Sequence, residues 1–407
     1  MSESPRRLRR VLAKTAMLLA SVAVTIAVLE VATRFFYTPL PPTIEFFRLT
    51  RSDYYQADVT VGWRPRPNIT ARHVSGDVFD TTFTTNSRGL RDREHSIEKP
   101  PGTLRVVVLG DSFAWGYGVN DDVVFPRLLE SQLAGVEVIN LGVAGYGLRQ
   151  EFAYLKLEGM RYEPDLVILA LCMNDLSDLP SGTLQPASPA SHGDPDAGLD
   201  MFRRLKAFLN SHSALYSFVI SRVNTNRSLI QLLIWLRLKG QLAGYEELDI
   251  NLRPALRRYP SKLEGSFADA EDQLRMIRDY LRAANVQFLV ALLPSVQAVD
   301  HRSFQHTIAY TEFGPDDFDL ERPYRRLIAL GEAEGIPMVH PLPLFRERHA
   351  AGRRLFIARD MHFNPEGHGL FAASLSQPIK TLLDNPPQRP TPTQESGAAT
   401  TAPRPRR

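Results

Sequence analysis

Cysteine is almost missing from this chain: Cys172 is the only one among 407 residues. A single thiol forms no internal disulfide and supplies no thiolate metal cluster, so cysteine usage leaves the redox compartment open. An excess of one charge is also missing. Lys and Arg number 48 against 45 Asp and Glu, a formal net charge of +3, and much of the basic excess sits at the two ends. The Lys/Arg stripe of a nucleic-acid-binding face is not there, so no nucleic-acid partner is expected. Internal repeats are absent as well, which removes solenoid and propeller architectures.

What is present is an ordinary globular composition, 43% hydrophobic and 23% charged, with material for one large domain and some extras. There is one long apolar stretch. Arg6, Arg7, Arg9 and Arg10 precede residues 11–33, whose uninterrupted core, 15–29, lies between Lys14 and Glu30. That length suits a bilayer core, which needs about 20 residues, and both flanking charges stand where long side chains reach the interface. The arginines predict a cytoplasmic segment over 1–10, a transmembrane anchor over 11–33 and an exported remainder, periplasmic or on the outer surface. A cleaved signal peptide is the rival reading. No small-x-small cleavage site follows Leu29, where Glu30, Arg34 and Phe35 stand instead. A buried soluble helix fits the arginine cluster less well.

Residues 34–100 read as a juxtamembrane region, Pro-rich at first (Pro39, Pro41, Pro42, Pro65, Pro67) and then rich in Thr and aromatics, with a small β element bounded by Ser75-Gly76-Asp77 and a turn over 86–91. From residue 101 the pattern changes. Strand candidates 105–109, 136–141, 166–171, 286–293 and 337–340 are short apolar runs that alternate with helical stretches. Such runs suit strands buried on both faces, and their alternation with helices implies βαβ units. The expected fold is therefore α/β, a flavodoxin-like three-layer sandwich on a five-stranded parallel sheet, over 101–384. Residues 180–265 form an insertion. It opens with a Pro/Ser/Gly/Asp-rich stretch over 180–200, read as a mobile loop, and continues as a helical pattern over 201–240. Its apolar run 229–236 fits either a helix packed on the core or a lid touching the membrane surface. Residues 266–284 read as an amphipathic helix. The tail 385–407 has almost no apolar bulk and reads as disordered.

Chemistry-bearing residues fall at the ends of these strands, where ligands sit in open parallel sheets. The first strand runs into Gly110-Asp111-Ser112, the second into Asn140-Leu141-Gly142-Val143-Ala144-Gly145, and the third into Cys172-Met173-Asn174-Asp175. Ser112 stands where a nucleophile belongs; alternatively Asp111 or Ser112 simply caps the next helix. Acyl transfer needs donors aimed at a developing oxyanion. Gly145 can bring a backbone N–H close, and Asn174 can offer its amide. Asn140, Gly142 and Gly147 serve the turns. After the fifth strand comes Asp360-Met361-His362. A serine hydroxyl needs an adjacent base, imidazole suits that task, and a carboxylate can fix its tautomer. His73, His192 and His349 are assigned exposed or packing roles, and His368 supports the following helix. A metal site at His362 and His368 lacks any accompanying ligand cluster.

Taken together, these blocks resemble the SGNH/GDSL hydrolases. Ser112 matches the nucleophile block, Gly145 the oxyanion glycine, Asn174 the Gly-x-Asn-Asp block and Asp360 with His362 the terminal acid–base block. The resemblance spans about 104–383. The preceding anchor, with Gly62-Trp63-Arg64 and residues 86–91, is similar to bacterial membrane-anchored members. Two departures stand out: Cys172 replaces the usual glycine of the third block, and the aspartate lies two residues before His362 rather than three. Asp360 or a backbone carbonyl would orient the ring.

The resemblance implies a serine esterase acting on ester bonds, short-chain ones above all. Ser112 is the nucleophile, His362 the base and Asp360 the acid. Ser112, Gly145 and Asn174 form the oxyanion hole, with Asp111, Asn140 and Asp175 in support, and neither metal nor organic cofactor takes part. The substrate would be an ester or an acylated glycan or lipid. Two other readings stay open: an O-acyltransferase acting on exported polysaccharide, and a catalytically silent binding or assembly module. Oligomeric state is not legible.

Overall fold

A computed structural model describes residues 5–35, 54–75, 78–176, 248–309 and 311–385, with a few scattered positions between 209 and 232. The loop expected over 180–200, nearly all of the helical stretch 201–240 with its apolar run, and the tail beyond Asn385 lie outside the described residues.

The chain opens with α1 (Pro5–Arg34). Its segment Ala13–Arg34 has a mean hydropathy of 2.1 over an 18-residue window that is nowhere buried, and is 22 residues long. At about 1.5 Å per residue that is roughly 33 Å, enough to cross a hydrocarbon core of about 30 Å. Glu30, near its far end, accepts hydrogen bonds from the Ser213 hydroxyl (2.7 Å) and from the backbone N–H groups of Ala214 (2.9 Å) and Leu215 (3.1 Å). The insertion therefore touches the apolar helix where it is described.

Two antiparallel hairpins follow. The first joins β1 (Tyr55–Asp58) to β2 (Gly62–Pro65), and the second joins β3 (Thr70–Ser75) to β4 (Phe79–Thr84). The sequence signalled only the second. The first has four-residue strands with little alternation, and its turn is set locally by Asp58, whose carboxylate accepts the N–H groups of Thr60 and Val61. These hairpins are not a free-standing element. Tyr55, Val61, Phe83 and Leu90 are buried in the same core as the main sheet.

The sheet has five strands, as expected: β5 (Leu104–Gly110), β6 (Val136–Asn140), β7 (Leu166–Leu171), β8 (Gln287–Leu292) and β9 (Met338–Val339). All pairings are parallel, in the order β6-β5-β7-β8-β9. Counted within the sheet this is 2-1-3-4-5, the flavodoxin-like order. Every residue of β7 is fully buried, which explains its unbroken apolar run Leu-Val-Ile-Leu-Ala-Leu. Helices Phe125–Gln132 and Pro365–Asp384 pack together on one side, while Leu148–Leu157 and Ser261–Ala283 pack together against β5 and β8 on the other. The order places β5 at the crossover, with β6 and β7 beside it, so the exits of these three strands share one rim.

At the opposite rim the Arg105 side chain is fully buried. Its guanidinium donates to Glu137 Oε2 (2.8 Å) and to the carbonyls of Ser96 (2.7 Å), Ile97 (3.0 Å) and Tyr162 (2.9 Å). It thus ties the incoming chain to the base of the sheet. Arg105→Ala leaves the buried Tyr162 carbonyl without its donor, while Glu137 keeps Arg93 at 3.4 Å. We expect a loss of about 1–3 kcal/mol, the usual cost of leaving a buried acceptor unsatisfied, measured as a lower midpoint of denaturant unfolding in detergent. A midpoint matching the wild type would refute the tie.

Candidate active site

The strand β5 ends at Gly110, and the chain turns through Asp111 into α2 (Ser112–Trp115), whose first residue is Ser112. Asp111 caps this helix, its carboxylate accepting the Phe113 N–H at 2.9 Å. Asp111 does act as a cap, and the cap holds Ser112 at the rim. The β6 exit is shaped by Asn140. Its side-chain oxygen accepts the Gly142 N–H (2.9 Å), and its amide donates to the Ala114 carbonyl (2.8 Å). A Cβ on Gly142 would lie 2.5 Å from the Ala114 carbonyl carbon and the Trp115 nitrogen, so only glycine lets this turn pass under α2. Gly145 has φ +81° and is exposed on the same rim. Beside it lies the Trp63 indole, 3.5 Å from where a Cβ on Gly145 would stand.

His362 arrives from the loop after β9. The Ser112 hydroxyl lies 2.7 Å from its Nε2, and its Nδ1 lies 2.6 Å from Asp360 Oδ1. The same carboxylate oxygen accepts the His362 backbone N–H at 2.8 Å. Asp360 thus reaches the ring from two residues away because the chain doubles back on itself. Arg359 adopts a left-handed conformation (φ +62°), and the His362 carbonyl accepts the Ile357 N–H. The group that lies at Nδ1 is thus the Asp360 carboxylate. Burial pulls the Asp360 carboxyl upward, but the hydrogen bonds and the charge of His362 outweigh it and hold it below its ordinary range. The Tyr117 ring stacks on the imidazole at 4.3 Å, and Phe113 packs beside it at 4.9 Å. His73 from β3 abuts Tyr117 edge-on at 4.7 Å. Burial, with Arg91 and His362 nearby, pulls the His73 ring down to about 3, so it packs there as a neutral aromatic.

Asn174 lies in the short turn Met173–Leu176 after β7 and donates from its side-chain amide to Asp111 Oδ2 at 3.1 Å. An amide nitrogen carries two hydrogens, so one remains. Asp175 turns inward and accepts the Cys172 N–H (2.9 Å). Cys172 is buried, and its thiol faces Asn251 Oδ1. Behind these residues stands Glu151, fully buried, with no hydrogen-bond partner on either oxygen among the described residues. Burial pushes its carboxyl well up, and the neighbouring carboxyls of Asp175 and Asp111 push it further. Burial likewise raises Asp175 and Asp111. His368 sits apart from the site, accepting the Phe125 N–H at 3.3 Å in a fully buried position. No group of three or more potential metal ligands occurs among the described residues.

The structure thus brings Ser112, His362, Asp360, Asp111 and Asn174 into one network, with Gly145 exposed on the same rim. Four residues that sequence reasoning did not assign to the site stand with them: Tyr117 and Glu151, and Trp63 and Arg91, which it noted only as part of the resemblance to membrane-anchored members. Glu151 carried one readable signal, a carboxylate at a core-facing position of the helix Leu148–Leu157, flanked by buried Leu148, Phe152 and Leu155.

A family model described as the GDSL-like lipase/acylhydrolase family matches residues 108–370, more than half of the chain. No curated protein matches the sequence significantly. Among solved structures, the chain is similar to a member of the lipolytic G-D-S-L family from Veillonella parvula (12% identity, 69% of this chain and 100% of that one, TM-score 0.38). It is also similar to an acetyl xylan esterase (12%, 68% and 100%, TM-score 0.36) and to the psychrotrophic esterase EstA from a Pseudoalteromonas species (14%, 69% and 99%, TM-score 0.33).

The buried Glu151 generates a pH prediction. A carboxyl held above its ordinary value of 4.5 keeps its proton in the folded chain while the unfolded chain has released it. Stability is therefore lost as pH rises from 4.5 toward the raised value. Glu151→Gln has no such proton. Its melting temperature relative to wild type should rise between pH 5 and pH 8, by roughly 3 °C or more. Thermal unfolding at three pH values reads this, and a difference independent of pH would show that Glu151 is ionised in the fold.

Proposed function

The chain belongs to the GDSL-like lipase/acylhydrolase family and is an ester-cleaving hydrolase, and we propose that Ser112 is its nucleophile, His362 its general base and Asp360 the group that orients the base. The observation that carries this reading is the unbroken relay from the Ser112 hydroxyl to His362 Nε2 (2.7 Å) and from His362 Nδ1 to Asp360 (2.6 Å). It joins residues 250 positions apart in the chain. Both contacts lie within the distances that proton transfer needs.

The mechanism follows from this geometry. The Ser112 oxygen attacks the ester carbonyl carbon as its proton passes to His362 Nε2. The imidazolium is stabilised by Asp360, whose carboxylate is held ionised. Charge then develops on the former carbonyl oxygen, and the Ser112 and Gly145 N–H groups with the remaining Asn174 amide hydrogen are its donors. Asp111 fixes the direction of that amide by taking its other hydrogen. His362 returns its proton to the leaving alkoxide, the alcohol departs and an acyl-serine remains. Water, deprotonated by His362, cleaves the acyl-serine and restores the hydroxyl.

The substrate class we infer is a small acyl ester reached from outside the membrane. Support for a small acyl group comes from the half-buried Trp63 indole standing beside exposed Gly145. Support for the location comes from α1, long and apolar enough to span a bilayer, with Arg6, Arg7, Arg9 and Arg10 at its start as a cytoplasmic retention signal. In this reading α1 stays attached as an anchor, and the domain works on the exported side.

Two outcomes test the reading. A fluorophosphonate probe should label wild type and not Ser112→Ala, and labelling that persists in Ser112→Ala would refute the assignment of the nucleophile. With an aryl acetate as substrate, Ser112→Ala and His362→Ala should each lower kcat by at least about 10³-fold, and Asp360→Asn by about 10²–10⁴-fold, as in other serine-histidine-acid sites. An Asp360→Asn enzyme with unchanged kcat would hand the orienting role to another group. Adding a glycan acceptor to the same assay separates transfer from hydrolysis by the fate of the acetyl group.

A further inference from the structure

The residues that hold the Ser112 turn in place come largely from outside the family-matched part of the chain, from the segment 86–92. Each side chain of that segment with a polar group is committed. Asn86 folds it into a tight turn, accepting the N–H groups of Arg88 (3.0 Å) and Leu90 (2.9 Å) and donating to the Arg93 carbonyl (2.9 Å). Gly89 has φ +84°, and a Cβ there would lie 2.5 Å from the Pro65 carbonyl oxygen, so the turn is pressed against β2 and only glycine fits. Ser87 is bound to Glu94, and Arg88 forms a two-pronged ion pair with Glu158. With the turn fixed in this way, Arg91 and Asp92 point into the molecule.

Arg91 enters the core beneath α2. Its side chain is 1% exposed. One guanidinium donates to the carbonyls of Trp115 (3.0 Å), Gly116 (2.6 Å) and Val119 (2.6 Å) and to Asp121 Oδ1 (2.8 Å), and it lies over the Phe83 and Trp115 rings. The three carbonyls bracket Tyr117, the ring that stacks on His362. They also terminate the four-residue helix that begins at Ser112. A single rigid fork therefore sets the far end of the nucleophile's helix and the platform under the base. Asp92 does the corresponding work on the next strand. Its carboxylate accepts the Asn140 backbone N–H (2.8 Å) and faces the buried His95 ring (3.1 Å), while the Asn140 amide reaches back to the Arg91 and Ala114 carbonyls. Asn140 is the residue from which the turn to Gly145 departs.

We propose that residues 86–92 are a strap that positions the site, with Arg91 aligning the Ser112 hydroxyl on His362 and Asp92 aligning the strand exit that carries Gly145. The proposal rests on the reading of Ser112 as nucleophile. Neither residue touches the reacting atoms, so both are positioning residues. The physical reason for the arrangement is the length of α2. One turn of helix lacks the internal hydrogen bonds to hold its own axis, and its carbonyls end in the interior, where each needs a donor. Arginine supplies several donors in a fixed plane, and lysine supplies a flexible point charge. A misplacement of about 1 Å costs on the order of 100-fold in rate.

The test uses the full chain in detergent, with Arg91→Ala, Arg91→Lys and Asp92→Ala, an aryl acetate, the fluorophosphonate probe and amide hydrogen exchange. Arg91→Ala should lower kcat and the labelling rate about 100-fold with KM within about threefold, and millimolar guanidinium ion should restore about tenfold of the loss by refilling the site. Arg91→Lys, which keeps a buried charge and so guards against simple misfolding, should fall between. Exchange over 113–119 should quicken in both Arg91 variants and over 140–145 in Asp92→Ala, with β7 protected as in wild type. Wild-type kcat in a folded Arg91→Lys or Arg91→Ala overturns the proposal. So does unchanged exchange over 113–119, or a kcat loss that guanidinium leaves untouched while β7 stays protected. The exchange readout needs no turnover. If wild type neither hydrolyses nor labels, the nucleophile assignment falls on its own, while quickened local exchange still establishes the strap.

Discussion

A 2.7 Å contact between one hydroxyl and one imidazole closes a chain loop of 250 residues, and the energetics of that closure explain much of the molecule. Bringing together the ends of so long a loop costs on the order of 5 kcal/mol in chain entropy. A single neutral hydrogen bond returns about 1 kcal/mol net. The contact cannot hold itself, so it exists because the sheet and the layers around it have already placed Ser112 and His362 within reach. The parallel order 2-1-3-4-5 does most of this. It gathers the exits of β5, β6 and β7 on one rim, and the helix Pro365–Asp384 brings the residues just before it to the same edge by packing beside Phe125–Gln132.

The rest of the positioning is done by polar groups working at short range, and they fall into a pattern. Three strand exits are finished by a side chain that satisfies nearby backbone groups: Asp111 after β5, Asn140 at the end of β6 and Asp175 after β7. Such caps contribute about 1 kcal/mol each, and their larger effect is directional, since each fixes where the next residue points. Segment 54–95 adds a second set of restraints. Its hairpins share the hydrophobic core of the sheet, and Arg91 and Arg105 grip opposite rims of the domain. The described residues of 54–107 thus pack into the same core as the sheet rather than standing apart from it.

This division also explains what the sequence revealed. The five sheet strands were legible because strands buried on both faces must be continuous apolar runs, as in Leu166–Leu171. Ser112 and Asn174 drew notice because they follow such runs almost at once, and Asp360 with His362 because they form a short block just before the helix Pro365–Asp384. The cap readings of Asp111 and Asn140 were legible from turn chemistry. The contacts of Trp63, Tyr117 and Arg91 were not, because their partners lie far along the chain: Gly145 for Trp63, His362 for Tyr117, the carbonyls of Trp115, Gly116 and Val119 for Arg91. No periodicity reports such contacts. The β1–β2 hairpin escaped for a related reason, since its register comes from an aspartate turn and from packing on Tyr146 and Gln150 rather than from alternation in its own strands. Glu151 differs again. A buried carboxyl is unfavourable on any propensity scale, so the sequence reads as an amphipathic helix with an odd residue, and only the packing shows how completely it is enclosed.

That oddity bears on the electrostatics of the site. In the proposed reading the site stabilises negative charge, and ionised carboxylates behind it would act against that, more strongly in a dry interior than in water. Three carboxyls stand there: Asp111, Asp175 and Glu151. Burial moves all three upward, and for Glu151, with no partner on either oxygen, nothing opposes the shift. An upward shift weakens their charge in the field while retaining their shape and hydrogen-bonding capacity. Asp175 and Asp111 each accept bonds that favour a carboxylate, Asp175 from the Cys172 N–H and Asp111 from the Phe113 N–H and the Asn174 amide. Asp111 also fixes the direction of the Asn174 amide. The arrangement works only if water stays out of this layer, and the fully buried side chains of β7 around it provide that exclusion.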